Sequence, residues 1–213
     1  MLKIHHLGHS QSERIVWLCE ELGLPYELQH HTRDAITRLS PPDLRALHPL
    51  GAAPLIEDGD LLLAESAAIV EYIIVKHGGG RLKLGPEHPD YAAFLYWFHF
   101  SNGNLMPAMG RLMMVSRANL AADHPVLVSV QGRLDKVMAL VEQRLGEAAY
   151  LAGEEFTAAD IMSVFSFTTM RLFQPMDLAP YPNVRAYLQR IGERPAYRRA
   201  MAKGDPDLVP MLG

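Results

Sequence analysis

The sequence predicts a two-part fold, an α+β unit built on a mixed four-stranded sheet followed by an all-helical bundle. Three observations predict it. A strand–helix–strand pattern fills residues 1–30, an Asp58-Gly59 hairpin signal and a helix follow, and beyond residue 90 strand signals vanish while helical periodicity continues.

The elements follow in order. Residues 1–7 are short and apolar with β-branched Ile4, as a buried strand is. From Ser10, the apolar Ile15, Val16, Leu18, Cys19 and Leu22 recur at helical spacing, with Glu13, Glu20 and Glu21 on the other side. Gly23 stands where a helix C-cap belongs. Residues 26–30 form a second strand, so the three make a βαβ unit with a parallel pair and a right-handed crossover. Residues 32–51 are irregular, broken by Pro41-Pro42 and His48-Pro49, with one helical turn at 43–47. Strands at 54–57 and 61–64 flank Asp58-Gly59. A helix runs from Ser66 through Ile69, Val70, Ile73 and Ile74 to Gly78-Gly79-Gly80.

Residues 78–89 hold four glycines and two prolines, which divides the chain into domains 1–80 and 90–213 with a linker at 81–89. Helical patterns then run at 90–118, 125–148, 157–173, 182–193 and 196–203. Pro107 is expected to kink the first of these. Thr157-Ala158-Ala159-Asp160 has the form of a capping box opening the third.

Composition excludes several classes. The 213 residues are 49% hydrophobic and 21% charged, ordinary for a chain with a real core. A net charge of −4 supplies no basic surface for nucleic acid. The N-terminal residues lack the apolar stretch of a signal peptide, and no run of about eighteen apolar residues suggests a membrane span, so a cytoplasmic protein is expected. The single Cys19 excludes intrachain disulfides and CxxC motifs, and among apolar neighbours it is expected to be buried and inert. His5-His6, His9 and His30-His31 invite a metal, but no HxxxH helix accompanies them and adjacent strand residues point to opposite faces, so no metal site is expected.

Several motifs then stand in a telling order. Ser10-Gln11-Ser12-Glu13-Arg14 opens the first helix, Ala53-Pro54 the third strand and Glu65-Ser66 the third helix. Leu47-His48-Pro49-Leu50-Gly51-Ala52-Ala53-Pro54 and Tyr181-Pro182-Asn183-Val184…Arg194-Pro195-Ala196-Tyr197 complete the set. Over nearly its whole length the chain resembles the cytosolic glutathione transferases, nearest their fungal and bacterial serine-type branch. The resemblance implies a thioredoxin-like N-terminal domain that holds glutathione and a helical domain that supplies the second substrate's pocket. It further implies a cytoplasmic homodimer acting in detoxification, with glutathione as a co-substrate and no other cofactor.

By that resemblance Ser10 is the catalytic hydroxyl. The reactive form of glutathione is the thiolate, and a hydrogen bond to a charged group contributes roughly 1.5–3 kcal/mol. One pKa unit is about 1.4 kcal/mol, so one donor lowers a thiol pKa near 8.5 by about one to two units. Ser12 is the alternative donor. The competing structural explanation makes Ser10 a helix cap. Ala53-Pro54 corresponds to the family's cis-proline, which presents the Ala53 backbone to the cysteinyl amide; the alternative is an ordinary trans proline at a strand start. Glu65 and Ser66 correspond to the γ-glutamyl site, or else form a plain acidic cap. Ala52 departs from the family, which usually carries a lysine there for the glycyl carboxylate; Arg38 or His48 are the candidates to compensate. Serines where cysteine-type members keep their cysteine argue against thiol–disulfide exchange.

His9, Phe100, Met106, Met109, Met113 and Phe167 are candidates to line a pocket for a small apolar electrophile, although Met at helical spacing is as often core. The expected reaction is conjugation. Isomerisation, dehalogenation and peroxide reduction would use the same thiolate, and a non-catalytic binding protein of this fold is the alternative from another class.

Overall fold

A computed structural model describes every residue from Met1 to Gly213 except Arg38. Two compact units divide it: Met1–Leu82 with Gly192–Pro210, and Lys83–Ile191 with Met211–Gly213.

The first unit follows the predicted order: β1 (Leu2–Leu7), α1 (Glu13–Leu22), β2 (Tyr26–His31), α2 (Pro42–Leu47), β3 (Leu55–Asp58), β4 (Leu61–Ala64) and α3 (Ser66–Lys76). The sheet order is β2-β1-β3-β4, with β1 parallel to β2 and antiparallel to β3, and β4 antiparallel to β3. Alternation along β1 sends Ile4 and His6 to one face and His5 and Leu7 to the other. On the second face Leu7 and Leu55 enclose Leu44 of α2, with Leu47, Ala53 and Ala64 packed against them. That cluster ties the end of β1, the start of β3 and the end of β4 into one corner.

Two details differ from expectation. The first helix begins at Glu13 and not at Ser10; residues 10–12 form the turn that leads into it, with Ser12 at the N-cap position. The expected division at 80 and 90 also fails to place the C-terminal helix. Helix α9 (Pro195–Gly204) belongs with the sheet unit because it docks on α1. Glu21 accepts from Arg194 Nε and Nη2 at 2.7 and 2.8 Å, Glu20 accepts from Arg199, Lys203 and Tyr26, and Trp17 meets Tyr197 edge-to-face at 4.9 Å.

The second unit contains α4 (Tyr91–Phe100), α5 (Met106–Ser116), α6 (Pro125–Glu147), α7 (Ala158–Phe167) and α8 (Pro182–Glu193). The break expected at Pro107 takes the form of a π-helical turn at Ser101–Leu105, which separates α4 from α5 and leaves Pro107 as the second residue of α5. Every residue of α7 is buried, with α4 packed against it. Its capping box is formed: Thr157 and Asp160 satisfy each other's backbone amides, and Asp160 Oδ1 also accepts from Leu151 N and Tyr187 OH, both at 3.0 Å. Among the described residues, no helix is long and apolar enough to cross a membrane.

Candidate functional site

The motifs singled out in the sheet unit converge. The turn after β1 carries Ser10 and Ser12, and the corner after β4 carries Glu65 and Ser66. Arg14, on the first turn of α1, links them: one Nη1 donates to Ser66 Oγ at 3.0 Å and to Gln11 Oε1 at 2.6 Å. Arg14 is fully buried, and burial pushes its guanidinium down to about 9 against the favourable field of Glu13. The Ala53–Pro54 bond is cis, matching the expectation for that motif. Ala53 and Ala64 share the Leu7–Leu44–Leu55 cluster, so the cis-proline segment and the β4–α3 corner are held at the same end of β1. Glu65 is exposed with a left-handed φ of 71°, while Ser66 behind it is buried.

The two serines differ in their commitments. Ser12 is completely buried; its Oγ accepts from Leu7 N at 3.1 Å and lies 3.3 Å from Leu7 O, 2.9 Å from His6 Nδ1 and 2.8 Å from Ser10 Oγ. Ser10 retains some exposure, and its Oγ accepts from Ser12 N at 3.2 Å. Ser10 O and Gln11 O in turn receive Glu13 N and Arg14 N, closing the turn onto the helix.

Behind Ser12 the polar chain continues, unmarked by any sequence signal. His6 is fully buried on β1, and its Nε2 stands 3.3 Å from Oδ2 of Asp205, the residue that ends α9. Burial pushes the Asp205 carboxyl up, but His6 together with the His9 amide and imidazole outweighs it, so its pKa lies below the ordinary value. His9, in a left-handed conformation at φ 54°, donates its N–H to Asp205 Oδ1 at 2.7 Å, and its ring faces Asp207 at 3.5 Å. His9 therefore lies beside a cavity of about 270 Å³ within this unit, lined also by His30, Arg33 and Asp205. His9, Asp205 and Asp207 bring one possible ligand atom each within 4.8 Å of one another, while Asp205 Oδ1 already accepts the His9 amide.

On the opposite face of β1 a second histidine chain serves structure. His5 bridges Glu57 at 2.6 Å and His31 at 3.0 Å, and His31 reaches Asp43 of α2 at 2.7 Å. Burial, with lesser repulsion from His31 and Lys3, holds His5 below the ordinary imidazole value despite its hydrogen bond to Glu57. Cys19 is buried, and burial and Glu20 push its thiol up to about 12, which leaves it inert.

Of the residues expected to line an electrophile pocket, Phe100, Met109 and Phe167 are buried in the helical unit, while Met106 and Met113 are half-buried. Ala52 is exposed. His48 turns Nδ1 to its own loop, accepting Leu50 N at 3.3 Å. Arg38 lies outside the described residues.

Residues 2–74 match the family description "Glutathione S-transferase, N-terminal domain", and residues 104–195 match "Glutathione S-transferase, C-terminal domain". The chain is 31% identical to glutathione S-transferase 3 of Schizosaccharomyces pombe, across 100% of this chain and 91% of that one. Its fold is similar to the crystal structure of a glutathione S-transferase from Actinobacillus pleuropneumoniae, with a TM-score of 0.87 and 32% identity over 96% and 93% of the two chains. A family member from Pseudomonas fluorescens, solved with two glutathione molecules bound, shares the fold at a TM-score of 0.78 and 23% identity over 94% and 92%.

Proposed function

The chain belongs to the glutathione S-transferase family, and from that premise we propose that Ser10 activates the glutathione thiol for attack on an apolar electrophile. The observation that carries this is the contrast between the two serines. Ser12 is enclosed and already holds Leu7, His6 and Ser10, whereas Ser10 is the outer hydroxyl at the mouth of α1.

The Ser10 hydroxyl donates to the sulfur, and the positive end of α1 favours the same charge. The thiolate then attacks the electrophilic carbon, a C–S bond forms, and the leaving group departs with its bonding electrons. The backbone of Ala53 pairs with the cysteinyl amide, as the family resemblance implies. Glu65 takes the α-amino group. Ser66, with Arg14 donating into its oxygen, presents a sharpened O–H donor to the α-carboxylate. Ala52 leaves the glycyl carboxylate without its usual lysine. The serine-type assignment, a homodimer, cytoplasmic residence and a role in detoxification belong to the same proposal.

Retention on immobilised glutathione, followed by turnover of a generic aryl halide, tests the proposal. Binding with measurable thioether formation is expected. Retention with no turnover across several electrophiles would move the protein to a binding role, and product analysis separates conjugation from isomerisation or peroxide reduction.

A further inference from the structure

Deep beneath Ser10 lie two buried polar atoms, His6 Nε2 and Asp205 Oδ2, that face each other at 3.3 Å with no formed hydrogen bond to any described residue. Such a pair is costly while the imidazole is neutral and becomes an ion pair once it is protonated. The other ring nitrogen of His6 is joined to Ser12 at 2.9 Å, and Ser12 to Ser10 at 2.8 Å. We propose that Asp205, His6, Ser12 and Ser10 form a relay that carries the glutathione thiol proton to His6 and leaves the thiolate at Ser10.

The inference rests on the assignment of Ser10 to the thiol. Before transfer, S–H donates to Ser10 Oγ, Ser10 O–H to Ser12 Oγ, and Ser12 O–H to His6 Nδ1, with the His6 proton on Nε2 towards Asp205. Each proton then moves one link. The S–H bond breaks, an Nδ1–H bond forms, and the imidazolium is balanced by the Asp205 carboxylate. No electrons leave the chain.

Hydrogen-bond valence permits both states. Ser12 Oγ always accepts Leu7 N–H, and Ser10 Oγ always accepts Ser12 N–H. In the first state the remaining acceptor sites take Ser10 O–H and the thiol; in the second they take His6 Nδ1–H and Ser12 O–H. Ser10 O–H is then directed to the sulfur. In the first state it points to Ser12 instead.

Two groups face the His6 ring directly. Asp205 approaches from the end of α9, and His30 on β2 stands edge-on with ring centres 5.6 Å apart. Burial and the facing His6 hold His30 below the ordinary imidazole value. Beyond them lie His9, Asp207 and Arg33 around the cavity of about 270 Å³, which Asp205 and His30 also line. Once the thiolate has been consumed, the His6 proton returns to solvent by way of Asp205, which faces His6 and lines this cavity. His5 lies on the opposite face of β1, while its partner His31, on β2, also lines this cavity.

His6 is a positioning residue, and its charge is the readout. Its ring carbons and nitrogens can be followed by NMR at one pH in the free protein, with glutathione, and with S-methylglutathione, which has no thiol proton to give. The relay predicts imidazolium only with glutathione. The same protonation state in all three overturns it. Asp205→Asn and His6→Gln extend the test: each should raise the midpoint of bound-thiol ionisation by about one unit, a tenfold loss of thiolate at a pH below both midpoints, with glutathione affinity little changed. A low wild-type midpoint that ignores both variants overturns the relay and leaves the transferase assignment standing. A wild-type midpoint equal to that of free glutathione removes the Ser10 assignment itself. If either variant fails to fold, the wild-type NMR comparison decides alone.

Discussion

Replacing Asp160 with alanine should destabilise the helical unit by about 3–5 kcal/mol, because it strips a buried acceptor from several donors at once. Asp160 is fully buried and takes Leu151 N at 3.0 Å, Thr157 N at 2.9 Å and Tyr187 OH at 3.0 Å. An unsatisfied buried donor costs about 1–3 kcal/mol, and partial relaxation keeps the sum below three full penalties. For a chain this long the loss corresponds to a fall in Tm of about 10 °C. The pH dependence provides a sharper check. Burial raises the Asp160 carboxyl to about 6 against those hydrogen bonds. A carboxyl raised on folding contributes stability that is full below its unfolded value and lost as the pH rises through about 6. Truncation should therefore cost about 1.4 kcal/mol more at about pH 5 than at about pH 8. Urea unfolding of wild type and Asp160→Ala at the two pH values measures this. A total loss under about 1 kcal/mol would refute the buried-acceptor account, and a larger loss at the higher pH would refute its electrostatics.

Three further outcomes are expected. Ser66→Ala should weaken glutathione binding about tenfold, the loss of one hydrogen bond to a carboxylate, without moving the ionisation midpoint of bound thiol; calorimetry and an absorbance titration read the two separately. Ala52→Lys should tighten glutathione binding about five- to tenfold and lose that gain in high salt, since it restores a partner for the glycyl carboxylate; unchanged affinity would show that another cation already serves. Where α9 docks on α1, Tyr26→Phe should cost about 1.5–3 kcal/mol, because Tyr26 OH donates to buried Glu20 at 2.7 Å, whereas Arg199→Met should cost under about 1 kcal/mol because Arg199 is half exposed; equal losses in chemical unfolding would contradict that ranking.

The sheet unit was legible because its signals are local. Short apolar runs, the Asp58-Gly59 turn and the Gly78-Gly79-Gly80 stop each act over a few residues, and together they leave little topological choice. The capping box at Thr157 was legible for the same reason. The docking of α9 on α1 was not: amphipathic spacing shows that a helix buries one face and does not say against which partner. The π-helical turn at Ser101–Leu105 carries no pattern beyond the nearby Pro107. In the site, the motifs around Ser10, Pro54 and Ser66 stand out by order and resemblance, but the polar chain through His6 to Asp205 joins opposite ends of the sequence. His6 reads as one of several strand histidines, and Asp205 as the polar residue after a terminal helix. Only the fold brings them within 3.3 Å.

The central claim is that Ser10 holds glutathione as its thiolate, and an ultraviolet titration of the bound thiol in wild type and Ser10→Ala tests it most directly. The account predicts ionisation about one to two units below a free thiol in wild type and a return towards the free value in Ser10→Ala. A shift that survives unchanged in Ser10→Ala would contradict it and pass the role to Ser12 or a backbone amide.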